Sequence, residues 1–156
     1  MHIKHKNTYS RLPGLALSLA VLFAMGAWTQ AEAQLPPAHK SGDVEYVSGG
    51  IGHDESTAFK QAKHDYPLAL TFAVHSDGSA SSPYASDVQV VIRNDQDQDI
   101  LNATTEGPYL LVRLKPGHYR ISATYEGKTL SRDVDVGQNG TTDIKLMWKR
   151  PASGPD

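Results

Sequence analysis

Three aspartates alternate with glutamines in Asp95-Gln96-Asp97-Gln98-Asp99, and Glu106 falls twelfth counting from Asp95. Closely spaced carboxylates of this kind are what a calcium loop uses. The rest of that signature is missing. Ile100 stands sixth, where the loop needs glycine for its sharp turn, and Asn102 stands eighth, where an apolar residue is usual. The plainer reading is an acidic hairpin turn running into a strand. Asp95, Asp97 and Asp99 are the metal candidates, for weak surface calcium only, and no cofactor is expected.

Gly49-Gly50-Ile51-Gly52 before a helical pattern suggests a phosphate cradle. No P-loop lysine follows, and Asp54 and Glu55 would repel a phosphate. The simpler role is a tight turn that brings the helix onto the sheet. Beyond residue 33 the histidines are His39, His53, His64, His75 and His118. His53 and His64 share a helix side but lie about 16 Å apart along it, too far for one metal ion. No Gly-x-Ser-x-Gly elbow points to a serine nucleophile. With no cysteine, thiol chemistry, thiolate zinc sites and disulfides are excluded.

Tyrosines are the remaining candidates. Tyr109 and Leu111 alternate with Leu110, Val112 and Leu114. If the latter face the core, Tyr109, Leu111 and Val91 face outward, and an exposed apolar patch marks a binding surface. The competing expectation is that the helix over residues 54–64 covers this face, since it must bury Phe59. Tyr84 and Tyr125 complete the set for a ligand surface.

These residues need elements to hold them. Phe59, Ala62 and Tyr66 recur at helical spacing, with Asp54 as expected cap and Pro67 as stop. From Leu68 the period becomes two. Leu68–Val74, Val88–Ile92, Asp99–Thr105, Leu110–Leu114, Tyr119–Tyr125, Leu130–Val136 and Ile144–Trp148 read as strands. Lys115-Pro116-Gly117 suits a type II turn and Glu126-Gly127 a two-residue hairpin. Seven strands with short turns predict a mainly β, seven-stranded antiparallel β-sandwich with one short N-terminal helix. No connection between neighbouring strands is long enough for a parallel crossover. Residues 43–48 read as a short edge strand, 34–44 as a flexible leader and 150–156 as a disordered tail.

The start of the chain has its own pattern. Lys4, Lys6 and Arg11 precede a 17-residue apolar run, Leu12–Trp28, and Ala31-Glu32-Ala33 follows. This is the layout of a secretory signal peptide over residues 1–33, cleaved after Ala33. A spanning helix wants about 20 apolar residues. Cleavage leaves Gln34–Asp156 and takes the formal charge from −2 to −4 by removing Lys4, Lys6, Arg11 and Glu32. Export without cysteine fits a bacterial periplasm or exterior, with only transient membrane contact through the signal peptide. The near-neutral balance argues against nucleic-acid binding.

The stretch from Gly107 to Ala123, GPYLLVRLKPGHYRISA, carries Leu114-x-Pro116-Gly117-x-Tyr119 between two strands. It resembles carboxypeptidase regulatory-like domains, and the likeness extends over roughly Tyr66–Trp148. The layout also resembles small bacterial secreted proteins in which Gly-Gly-x-Gly and a helix precede the sandwich. The resemblance implies a transthyretin- or Ig-like sandwich acting as a noncatalytic accessory, spacer or binding module. Two relatives with covalent chemistry do not fit. Hydroxyisourate hydrolases end in Tyr-Arg-Gly-Ser, whereas this chain ends in Gly154-Pro155-Asp156. Isopeptide-forming adhesin repeats need a first-strand lysine, and Leu68–Val74 has none.

The expectation is a noncatalytic exported accessory or protein-interaction module for an envelope or secreted partner. The alternative is a carbohydrate or small-ligand binder using Tyr84, Tyr109, Leu111 or Tyr125. A hydrolase is the remotest class.

Overall fold

The computed structural model describes residues 34–77 and 83–150. The proposed signal peptide and its cleavage site, and the tail beyond Arg150, lie outside the described residues. The strands are β1 (His39–Ser41), β2 (Val44–Gly49), β3 (Leu68–Ser76), β4 (Gln89–Asn94), β5 (Asp99–Thr104), β6 (Tyr109–Arg113), β7 (Gly117–Tyr125), β8 (Lys128–Val136) and β9 (Thr142–Arg150). A helix, α1 (His53–Ala62), runs into a 3₁₀ turn at Lys63–Asp65. One sheet has the order β1-β2-β6-β3-β9 and the other β5-β4-β7-β8.

Alternation builds the core. Leu68, Leu70, Phe72 and Val74 of β3 meet Val90, Ile92, Ile121 and Ala123 of the other sheet, with Leu146 and Trp148 of β9. A second, smaller cluster lies on the opposite face of the first sheet. It joins Val47, Ala69, Tyr109 and Leu111 to Phe59 and Tyr66, with Leu35 packed against them. β6 is therefore buried on both faces from Tyr109 to Val112.

The strand count is nine among the described residues, not seven. β1 forms inside the expected leader because Ser41-Gly42-Asp43-Val44 turns the chain back, with Gly42 at φ 58°. A two-residue hairpin with glycine at its first central position needs no apolar alternation. His39 then stacks on Tyr46 at 5.4 Å. β2 is not an edge, since β1 and β6 pair with it on either side. Arg150 belongs to β9 and not to the tail.

The sandwich is not wholly antiparallel. β3 and β9 pair in parallel, from Leu68 opposite Thr142 to Ser76 opposite Arg150. The connection joining them is most of the domain, all of the second sheet and β6, so no dedicated crossover helix is required.

Two turn expectations divide. Glu126 and Gly127 both have positive φ, at 47° and 75°, as a type I′ hairpin demands. Gly117 has no positive φ and opens β7 in extended backbone, so Pro116-Gly117 is not a type II turn. The loop is closed by Tyr119, whose hydroxyl donates to the Lys115 carbonyl at 2.7 Å.

The α1 boundaries differ slightly from the sequence pattern. Gly52, not Asp54, occupies the N-cap, and no side chain caps it. Asp54 and Glu55 stand in the first turn, where carboxylates suit the helix dipole.

Candidate functional site

The acidic loop is a self-contained turn. The Asn94 side-chain oxygen accepts the backbone N–H groups of Gln96 and Gln98, each at 3.0 Å. Asp99 pairs with Arg93 at 2.5 Å, and Asp97 lies 3.9 Å from the same guanidinium. Both carboxylates thus answer to an arginine, not to one another, and Asp95 completes no cage with them. Among the described residues, no three His, Asp or Glu side chains are grouped to hold a metal ion.

Gly49-Gly50-Ile51-Gly52 is a packing device. The Gly50 N–H donates to the Glu55 carboxylate at 2.9 Å, so the chain's own acid fills the place a phosphate would take. A Cβ on Gly50, at φ 97°, would fall 2.2 Å from the Tyr109 ring. Ile51 is exposed at the tip of this turn.

The outer face of the β5-β4-β7-β8 sheet carries a ladder of polar pairs. His118 meets Asp135 at 2.7 Å, Arg120 meets Asp133 at 2.8 Å, and Thr124 meets Thr129 at 2.7 Å. Val91 lies on this face, half-buried, opposite Asn102 and Ser122. The Asp135 hydrogen bond is the main cause holding the His118 pKa above its ordinary 6.5, with the Asp95 and Asp133 charges adding to it. A raised histidine pKa favours the folded state below the unfolded value. That contribution fades as pH rises through the folded value. His118 is therefore expected to titrate above 6.5 by NMR, and Asp135→Asn to lower its midpoint. A midpoint unchanged by Asp135→Asn would refute the pairing.

Tyr109 and Leu111 do not form an exposed patch. They are 6% and 1% exposed because α1 covers them, with Phe59 stacked on Tyr109 at 5.6 Å. Tyr125 stands apart from them, against Trp148 at 5.5 Å on the core side. Tyr84 is different. Its segment bridges to Ala73 of β3, beyond the point where β6 begins. Its ring lies 5.6 Å from Tyr109 and remains 53% exposed.

Together these residues line an open groove of about 280 Å³ beside α1. Phe59, Tyr84, Tyr109 and Leu111 make its apolar wall, Ala69 and Thr71 its floor, and Lys60 and Lys63 its cationic rim. Burial and a hydrogen bond with the Tyr84 hydroxyl hold the Tyr109 phenol well above its ordinary pKa. Tyr109 therefore stays protonated at any physiological pH, as a wall and hydrogen-bonding group. The groove offers a ring face, hydroxyls and amines, a set suited to holding a ligand.

A larger hollow of about 490 Å³ opens between the sheets near Asp43, Ile100, Lys115 and Tyr119. Its guanidinium, Arg113, is already engaged. It bonds Glu45 at 3.1 Å and the Asp65 carbonyl at 3.2 Å, and lies 4.3 Å from the centre of the Tyr66 ring. The groove beside α1 is the better candidate.

The sequence pattern identified Tyr84, Tyr109 and Leu111, and Phe59 as the ring the helix must bury, but not Lys60, Lys63, Ala69 or Thr71. Ala69 and Thr71 read as the quiet side of β3, and their small size is what makes the floor. That run of small residues opposite Leu68, Leu70 and Phe72 was the available signal. No family model and no curated protein matches this chain. Among the described residues, no helix is long and apolar enough to cross a membrane.

Proposed function

We propose that this chain is a noncatalytic, exported β-sandwich module of transthyretin- or Ig-like type that holds a partner in the groove beside α1. The basic, apolar, small-residue order of its first 33 positions supports export to the periplasm or exterior. The likeness of Gly107–Ala123 to carboxypeptidase regulatory-like domains supports an accessory role. The observation that carries the reading is Tyr84, a large ring fixed against Tyr109 yet more than half open to solvent. An aromatic face beside a polar rim is a common way to hold a small ligand.

That face favours a carbohydrate over a flat protein interface, because a single exposed ring above a floor of small residues fits a sugar ring. Arrays of glycans and of envelope peptides test this. Tyr84→Ala is expected to weaken binding about tenfold or more while leaving the fold intact, since the ring is largely at the surface. A wild-type melting temperature for the variant checks that. Unchanged binding by Tyr84→Ala would remove the groove from consideration. Turnover of an ester, peptide or glycoside by the purified protein would overturn the noncatalytic reading.

A further inference from the structure

Beyond the groove, the same face of the sheet continues along β3 and β9. Cross-strand partners share a face, so the registers place residues in rows. One row is Tyr109, Thr71 and Lys145, and the next is Tyr84, Ala73 and Met147. Lys149, opposite His75, extends the β9 side. Ala73 is fully buried between Tyr84 and Met147, which are 53% and 40% exposed. Tyr84 thus stands on one side of β3, and Lys145, Met147 and Lys149 of β9 stand on the other. Lys145 and Lys149 are about 13 Å apart along β9 by the strand rise.

The charge of this face is the second observation. Lys63 is matched by Asp143 at 2.6 Å. Among the described residues, Lys60, Lys145 and Lys149 have no ion-pair partner. Asp143 and Asp77, the latter 3.8 Å from His75, lie beside this row, while Asp97, Asp99, Asp133 and Asp135 are paired to bases of the opposite sheet. A chain of formal charge −2 thus presents three lysines without an ion pair along one face, beside an aromatic ring.

We infer that this strip of the sheet face, with the groove beside α1, binds a linear acidic polysaccharide. One sugar ring packs on Tyr84, and carboxylate or sulfate groups repeated along the polymer meet Lys60, Lys145 and Lys149. The inference rests on the binding-module reading above and names its ligand class. The spacing favours a polymer over a compact anion, because the lysines are spread along this face and do not converge on one point. It also favours a glycan over a membrane, because Tyr84 and Met147 are isolated apolar groups and not a continuous patch.

The test uses the full chain as exported, titrated calorimetrically with four probes. They are an oligogalacturonate, a sulfated dextran oligomer, a neutral oligoglucan and phosphatidylglycerol vesicles. Binding to the oligogalacturonate or the sulfated dextran is expected, weakened by added salt. The double variant Lys145→Glu/Lys149→Glu should lose about tenfold or more of that affinity. Its melting temperature should match the wild type, because both side chains are exposed. The carboxylated and sulfated probes together identify the anion preferred. Equal, Tyr84-dependent binding of the neutral oligoglucan would overturn this inference while leaving the groove reading standing. Binding to vesicles alone would overturn it in favour of a lipid surface. Binding to none of the probes would overturn it as well, and the array result with Tyr84→Ala decides separately whether the groove reading falls with it.

Discussion

Phe59→Ala is expected to cost about 3–4 kcal/mol of folding stability. Phe59 is 1% exposed and is the largest side chain that α1 contributes to the second cluster. The cost has two parts. One is the transfer free energy of the ring, and the other is the void left beside Tyr109, Val47 and Leu111, which cannot collapse onto a rigid sheet. Few contacts besides this ring hold the helix. Ala58 and Ala62 are small, and the Lys63–Asp143 pair is exposed and contributes little. Amide exchange across His53–Ala62 should therefore quicken more than exchange in β3. Phe59→Leu keeps most of the volume and should cost less than about 1.5 kcal/mol. Denaturant unfolding with exchange mass spectrometry measures both. A Phe59→Ala loss below about 1 kcal/mol would mean that α1 is held by something other than its aromatic anchor.

The second large effect is expected at Gly107, where alanine should cost about 3 kcal/mol. The reason is space, because the Gly107 φ is not in the left-handed region. A Cβ there would lie 2.3 Å from the Gly49 carbonyl oxygen and 2.4 Å from its carbonyl carbon. Those atoms are backbone at the end of β2 and have no rotamer to escape into. The loop around Gly107 is also pinned from both sides. The Glu106 N–H donates to the buried Ser48 hydroxyl at 2.9 Å, and the Phe72 N–H donates to the Pro108 carbonyl at 2.9 Å. Relieving the clash means breaking one of these. Gly137 is the control, since a Cβ there meets nothing closer than 3.5 Å. Gly137→Ala should stay within about 0.5 kcal/mol of wild type. Equal urea midpoints for the two variants would refute the steric argument.

How far the sequence alone reached depended on whether a residue's neighbours were local. Leu68, Leu70 and Phe72, or Tyr119, Ile121 and Ala123, declare strands because period-two alternation is an internal property of the segment. Glu126-Gly127 declares its turn because two residues set its geometry. The parallel pairing of β3 with β9 was not legible, since nothing within Leu68–Ser76 indicates which distant segment lies alongside. β1 was missed because a strand of His, Lys and Ser is made by its hairpin and by Tyr46, not by its own apolarity. The candidate site was partly legible for the same reason. Tyr84, Tyr109 and Leu111 stood out as types, and Phe59 already pointed to a helix covering the last two, but only the fold shows that Tyr84 stays exposed beside them. Lys145 and Lys149 attract no notice until β9 lies beside β3.

That pairing also governs the order in which the molecule becomes whole. Any chain delivered amino end first, from a ribosome or through a translocation channel, presents β3 long before β9. Until Thr142–Arg150 emerges, one side of β3 has unpaired amides and carbonyls next to a strand rich in leucine, phenylalanine and valine. Such an edge is a template for pairing with another chain. The last strand to arrive is the one that seals it, so premature termination before Thr142 would leave an adhesive intermediate and not a smaller version of the domain.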